Sequence, residues 1–398
     1  MRVLLVSDWQ QQPGGVEAYV TWLRVGLARA GDEVRLLTSS VGSAAGGTAD
    51  FVAWGTERVA AQAALQIVNP FAVARVREAL RCFRPEVALV NTFAFHLSPA
   101  ILLALRPVPT VLSVADYKLV CPLGTKLLPD FTLCSEGAGL VCWRAGCLGL
   151  AHWLRDQPRY ALISAALRGV DRILACSEWV RHSLVADGIA AEHLRLPVPE
   201  PGGTFSRAPA ENPLFVYCGR LSVEKGVLLL VGAFARLHAA HPKARLRIVG
   251  EGTQRPLLEG MVRTLELGEA VTVTGWLSGS GVEQQLTDAW ALVVPSLWAE
   301  PLGFVALEAI VRRVPVVASR AGGLGETVED GASGLLFPNG DEEALLGCLE
   351  ALASGRAFPA HALAGGVARR VAELHSMDRH LHRLRTIFSE TLSSRACG

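Results

Sequence analysis

Two glutamates, two cations and a run of glycines are the residues of this sequence best suited to chemistry. Glu300 and Glu308, with seven residues between them, lie in VVPSLWAEPLGFVALE, from Val293 to Glu308. An apolar strand there runs into a Pro295-Ser296 turn. Pro301, with its fixed φ and missing N–H, suits a first helical position, so the stretch predicts a helix starting beside Glu300. On one helix the two carboxylates would stand ~12 Å apart along the axis, too far to share a proton and suited to two ends of one extended ligand. Gly303 in the first turn would admit a ligand to backbone N–H groups at the positive end of the helix dipole, a natural seat for phosphate. Upstream, Arg220 and Lys225 flank a loop after a strand end in CGRLSVEKG. Two cations there can neutralise a diphosphate and stabilise charge on a leaving group. Taken singly, each feature has a plainer reading, as helix glutamates chosen for propensity or as solvated surface charges.

The neighbourhood as a whole resembles a known pattern. The E-x7-E box, its PSLWAEPLG approach, the following VPVVASRAGGLGETVEDGASGLLFP and the upstream GRLSVEKG resemble the nucleotide-sugar half of family-four retaining glycosyltransferases of the GT-B fold. The likeness is strong from Phe215 to Leu352 and weaker toward both termini. It implies an α/β protein of two doubly wound Rossmann-like domains facing across a cleft. Residues 1–200, completed by a C-terminal helix over 377–398, would form the acceptor-side domain, and 201–376 the nucleotide-sugar domain. It also implies a nucleotide-sugar donor, most often UDP-linked, and a hydroxyl acceptor that the sequence does not identify: saccharide, lipid-linked saccharide or small natural product.

By the same resemblance, Arg220, Lys225 and Glu300 are the catalytic candidates, with Glu300 against the transferred sugar. Glu308 would take the ribose hydroxyls, and the N–H groups of Gly303, Phe304 and Val305 a phosphate. Gly250, Gly252, Thr274 and Gly275 lie at strand ends where base and ribose could rest, although glycines there also serve tight turns alone. Gly14 and Gly15, in PGGVE with Glu17, belong to a loop that in the family closes over diphosphate and acceptor. Asp116 stands in SVADYKLVCP. Two departures are visible: Ala115 replaces a family histidine that sits over the donor sugar, with His96 and Lys118 as candidate substitutes, and Arg313 stands where the family commonly has glycine. The family's route needs no bound divalent metal and no cofactor beyond the sugar nucleotide. Two other readings stay open, a nucleotide-sugar epimerase or phosphorylase-like enzyme, and a sugar-nucleotide-binding protein impaired by loss of the histidine.

The elements that must position these residues follow from periodicity. Apolar runs at Arg2–Asp8, Glu33–Thr38, Val87–Asn91, Thr110–Val114, Asp171–Ser177, Leu214–Cys218, Arg245–Val249, Ala270–Thr274 and Trp290–Val294 read as buried parallel strands. Helical spacing between them, as at Val16–Ala30 and Val227–Ala240, gives doubly wound units whose function gathers at the carboxyl ends of the strands. The Pro- and Gly-rich stretch from Pro197 to Pro213 is the expected linker. The region from Cys121 on reads as an acceptor-side insertion with Trp143 and Trp153, its cysteine stretch short and irregular. Its Cys121, Cys134, Cys142 and Cys147 could bind zinc or be buried free thiols.

Composition sets the outer bounds. The chain has 398 residues, 51% hydrophobic and 19% charged, enough for two cores. A formal net charge of +1 argues against nucleic acid and implies no strong attraction to a membrane surface, though a peripheral membrane contact stays open. No apolar run reaches the ~18 residues of a transmembrane helix. Nine scattered cysteines fit a reducing cytoplasm better than a disulfide framework. The opening MRVLLVSDWQQQPGG reads as a first strand rather than a signal peptide.

Overall fold

The computed structural model describes residues 1–9, 15–41, 48–201, 203 and 205–396, apart from the side chains of 15–17. The chain divides into two compact units, one made of 1–129, 134–197 and 377–398 and the other of 130–133 and 198–376.

Each unit is built on one wholly parallel sheet. In the first, β1 (Arg2–Val6), β2 (Glu33–Ser39), β3 (Phe51–Ala53), β4 (Val87–Val90), β5 (Thr110–Val114), β6 (Arg172–Ala175) and β7 (Glu192–His193) stand in the order β3-β2-β1-β4-β5-β6-β7. In the second, β8 (Leu214–Cys218), β9 (Arg245–Val249), β10 (Val271–Gly275), β11 (Ala291–Val294), β12 (Val316–Ser319) and β13 (Gly334–Phe337) stand in the order β10-β9-β8-β11-β12-β13. Strands such as VALV and ALVV are buried at every position, as they must be when helices cover both faces of a parallel sheet. Strand order reverses beside β1 and again beside β8, so in each unit the loops at the carboxyl edge diverge at a switch point.

Local chemistry starts the helices where it should. Asn69 accepts from the N–H groups of Phe71 and Ala72 ahead of the helix Pro70–Cys82, with Pro70 in the first turn, and Ser177 accepts from Val180 N ahead of Glu178–Ala186. The last helix, Met377–Ala396, packs in the first unit against the helix Gly15–Arg29. The absence of a side chain at Gly26 lets Leu381 approach, and Tyr19 Oη and His380 Nε2 are hydrogen bonded at 2.9 Å.

One expectation needs correction. Pro301 does not open a helix: that helix runs Phe304–Val311 with Gly303 at its N-cap, and Glu300 instead forms a parallel bridge with Gly322. The ~12 Å axial separation therefore does not apply, because only Glu308 is helical. Beyond the cysteine stretch, Trp153 lies on an 18-residue helix, Leu150–Leu167, with Pro158 inside it.

Arg313 adopts φ 60° where the resemblance suggested glycine. It is held there by Leu363, whose carbonyl accepts from Arg313 Nε and whose N–H donates to the Arg313 carbonyl, both at 3.0 Å. For Arg313→Gly, relief of ~1–2 kcal/mol of left-handed strain offsets a lost hydrogen bond worth ~1 kcal/mol and glycine's added unfolded-state freedom. Denaturant unfolding should place this variant within about 1 kcal/mol of the parent. Arg313→Val should lose more than about 2 kcal/mol, because a β-branched residue tolerates that φ poorly. Equal losses would show that the backbone at this position is unstrained.

Candidate active site

At the carboxyl edge of the second sheet, the loops after β8 and β11 are sewn together. β8 and β11 are neighbours, and the N–H groups of Leu297 and Trp298 both donate to the Glu224 carbonyl. Gly226, at φ 67°, has no room for a side chain because the Pro295 carbonyl occupies that space. This stitching brings Lys225, in the short 3-10 turn Val223–Lys225, to Glu300.

Lys225 Nζ donates to Glu300 Oε1 at 2.5 Å and lies 4.7 Å from the centre of the Trp298 ring. Ser296 Oγ donates to the same carboxylate oxygen at 2.7 Å. Burial pushes the Glu300 carboxyl up, but the Lys225 charge with the Lys225 and Ser296 hydrogen bonds outweighs it and leaves Glu300 below its ordinary value. Glu300 is thus a fixed, ionised acceptor, and Lys225 still has two of its three ammonium donors for a ligand. Arg220, next along the loop, is 69% exposed and lies 3.8 Å from Glu224, a loose surface pairing that leaves it mobile enough to meet an anion.

Around this pair the backbone packs without side chains. Gly322 (φ 64°) and Gly323 press on the segment Ala299 to Leu302, and Gly323 N donates to the Glu300 carbonyl at 2.6 Å. Gly303, at φ 82°, brings the start of the helix Phe304–Val311 against Leu324. One helical turn on, Glu308 is raised, first by burial and then by Glu283, against the lowering charge of Arg312. Its carboxylate makes no hydrogen bond or ion pair with the described residues, since Arg312 reaches only its carbonyl, at 3.0 Å, and pairs with Glu283. It lies close enough to Cys218, at the end of β8, to help burial push that thiol up to about 12.

The glycines after β9 have a steric purpose. Side chains at Gly250 and Gly252 would collide with the carbonyls of Gly219 and Leu221, and Gly250 N donates to Gly275 O at 2.9 Å. They hold the β8, β9 and β10 loops in register. The Thr274 hydroxyl is spent on the Gly275 carbonyl at 3.0 Å. Phe304 and Val305 are half-buried in the first turn of their helix.

In the first unit, Asp116 follows β5 and Gly15 opens the helix after β1, both at the carboxyl edge of that sheet. Gly14, and the side chain of Glu17, lie outside the described residues. Burial raises Asp116, whose Oδ1 accepts from Lys118 N at 2.8 Å. Lys118 is no free substitute for the missing imidazole beside Ala115: its ammonium donates to the Pro122 carbonyl at 2.7 Å and sits over the Phe95 ring. His96 is buried beside Trp9 with Nδ1 unpartnered, and burial lowers its pKa against the pull of Asp8.

Two positioning residues escape a reading of motifs. Asp8, fully buried after β1, accepts from the N–H groups of Phe95, His96 and Leu97 at 3.0, 2.7 and 2.9 Å and so clamps the loop after β4. A lone aspartate ending an apolar strand, seven residues from Gly15, was its one visible signal. Ser296, four residues before Glu300, was visible in PSLWAE but reads there as a turn.

Cys121, Cys134, Cys142 and Cys147 line one small cavity with Val120, Leu128 and Leu148. All are free thiols, and burial raises Cys142 and Cys147. Among the described residues no three His, Cys, Asp or Glu side chains are arranged to hold a metal ion.

Comparison with known proteins bears on this geometry. Residues 205–363 match the model for "Glycosyl transferases group 1", and residues 14–199 match the "Glycosyl transferase 4-like domain". A glycogen synthase of Mycobacterium tuberculosis is 30% identical over 365 residues, covering 84% of this chain and 82% of that protein. An alpha-D-kanosaminyltransferase of Streptomyces kanamyceticus is 34% identical over 128 residues, 32% of this chain and 33% of that one. Among solved structures, sucrose-phosphate synthase from Thermosynechococcus elongatus superposes with a TM-score of 0.75 at 22% identity over 99% of both chains. HepE of Anabaena, in complex with UDP, does so with a TM-score of 0.70 at 17% identity, over 99% of this chain and 100% of that one.

Proposed function

We propose that this chain, which belongs to the family-four glycosyltransferases of the GT-B fold, is a retaining enzyme that moves a sugar from a UDP-sugar to an acceptor hydroxyl. The acceptor would be a saccharide, a lipid-linked saccharide or a small natural product, and the setting the cytoplasm. The observation that carries the reading is the Lys225–Glu300 pair, fixed by Ser296 and Trp298 beside the glycine-opened helix Phe304–Val311. UDP is the favoured carrier because a protein of the same fold has been solved with it bound. The eight free cysteines among the described residues agree with a reducing compartment.

In this mechanism the bond from the anomeric carbon to the diphosphate oxygen breaks, and the acceptor oxygen bonds to the same face of that carbon. The acceptor proton passes to the departing diphosphate, so no enzyme nucleophile is needed. Lys225 and Arg220 face the diphosphate, where negative charge grows in the transition state. Glu300, held ionised, accepts hydroxyl hydrogens of the sugar and orients it. Glu308, whose carboxylate has no hydrogen-bond or ion-pair partner among the described residues, accepts the paired ribose hydroxyls.

A product assay with UDP-sugars tests the reaction. Glycosylated acceptor, or slow release of free sugar, that disappears in Arg220→Ala supports transfer. An epimerised donor would overturn it, and binding without turnover would point to a sugar-nucleotide-binding protein. Glu308→Ala should weaken UDP binding by about ten- to a hundredfold in calorimetry, the loss of charge-assisted hydrogen bonds. Equal affinity would remove the ribose assignment.

A further inference from the structure

We propose that the first unit docks on an anionic lipid bilayer through the face made by the helices Val59–Leu65 and Pro70–Cys82. The first of these, VAAQAAL, has no buried residue. Val59 is 80% exposed, and Val68, Trp54 and Phe71 are exposed as well, the last two with ring centres 5.1 Å apart. Val59, Ala60, Ala61 and Ala64 of this helix are exposed and its other residues half-buried, and Trp54 and Phe71 add two exposed aromatics. Side chains of this kind sit favourably at the boundary of lipid headgroups and acyl chains.

The charge beside the patch selects the lipid. From Glu57 to Glu86 the chain carries five arginines and three acids, Glu57, Glu78 and Glu86, a surplus of two positive charges in a protein whose net charge is +1. Glu78 pairs with Arg75 at 2.5 Å. Arg77 and Arg81 are exposed, four residues apart on one helix face, and form no ion pair among the described residues. Phe71 and Ala74 continue the same stripe, so the apolar end and the basic end of the face are contiguous. That combination matches an anionic bilayer, which attracts basic residues and accepts the apolar ones.

The two helices lie on the membrane rather than cross it. Ala72, Val76 and Ala79 are buried in the domain, the pair is bent by 48°, and no single described helix is long and apolar enough to span. A second copy of the chain fits the face poorly, because a two-fold contact would set the arginine surplus against itself.

Flotation of the full-length chain with vesicles decides the matter. On phosphatidylcholine containing about a third phosphatidylglycerol, binding should be at least about tenfold tighter than on phosphatidylcholine alone and should weaken as salt is raised. Arg77→Glu with Arg81→Glu, both exposed, should lower it by more than about tenfold, as should Val59→Asp, with melting temperatures near that of the parent. Failure to float, equal binding to neutral and anionic vesicles, or indifference to these substitutions would overturn the proposal. So would sedimentation showing a concentration-dependent dimer that Val59→Asp abolishes. None of these readouts depends on sugar transfer, so they stand or fall apart from the catalytic reading.

Discussion

Lys225→Ala should lower kcat by about a hundredfold or more, an effect typical of removing one preorganised charge donor from a developing anion, while UDP binding changes less. The structure also predicts a second effect of the same change. Glu300 is nearly buried and owes its depressed pKa to Lys225. In the parent, that depression contributes stability present above the ordinary carboxylate pKa and lost as pH falls through the lower folded value. Without Lys225, burial dominates, Glu300 rises above its ordinary value, and the pair's stabilisation becomes a cost at neutral pH. The acid limb of the rate profile should therefore move to higher pH, and stability should fall by up to about 3 kcal/mol, the scale of an orphaned buried charge.

The double variant Lys225→Ala with Glu300→Gln separates the two effects. It should recover most of the stability, because no unpaired charge is left buried, and none of the rate. A single variant with unchanged turnover at saturating donor would remove Lys225 from the machinery. Recovery of rate in the double variant would make Lys225 only a structural partner of Glu300.

Gly322→Ala should be the most damaging change among the glycines of the site. At φ 64° the added methyl would collide with the Glu300 carbonyl and stand 2.6 and 2.7 Å from Ala299 C and Glu300 N. All three neighbours are backbone, so no flexible side chain can yield. The strand-like bridge between Glu300 and Gly322 and the bond from Gly323 N must then open, which moves Glu300 away from Lys225. Gly331 is the control, with φ 77° and nothing within 4 Å of an added Cβ. Gly331→Ala should lose only the ~1–2 kcal/mol of left-handed strain. Gly322→Ala should lose at least about 2 kcal/mol more, the scale of overpacking, with turnover reduced by more than about a hundredfold. Equal melting temperatures for the two variants would show that the clash relaxes without cost.

Much of this was open to a reading of the chain. Strands such as Thr110–Val114, Leu214–Cys218 and Arg245–Val249 have the bounds that their apolar runs announce, because a strand covered on both faces can be little else than apolar. The helix Val227–Ala240 is announced equally well by its period. Errors gathered where the backbone rather than the side chains decides. Pro301 carries a good helix-start signal, yet the bridge from Glu300 to Gly322 keeps the chain extended until Gly303. The helix Leu150–Leu167 was not anticipated at all; it carries Pro158 inside it, with Asp156 and Arg159 buried beside that proline.

The sequence by itself determined the class of the protein: two parallel α/β units, a basic loop, a glutamate on a glycine-opened segment, and the family whose pattern these form. Those are properties of side-chain type and short spacing, which local periodicity encodes. Only the tertiary structure decided that Lys225 and Glu300, 75 residues apart, share a hydrogen bond, since that depends on β8 and β11 being neighbours although β9 and β10 intervene. It alone decided that Lys118 is engaged at Pro122, that Asp8 clamps the loop after β4, and that an alanine-rich helix lies on the surface rather than in a core. Each of these is fixed by strand order and by contacts between distant loops, and no window of neighbouring residues contains that information.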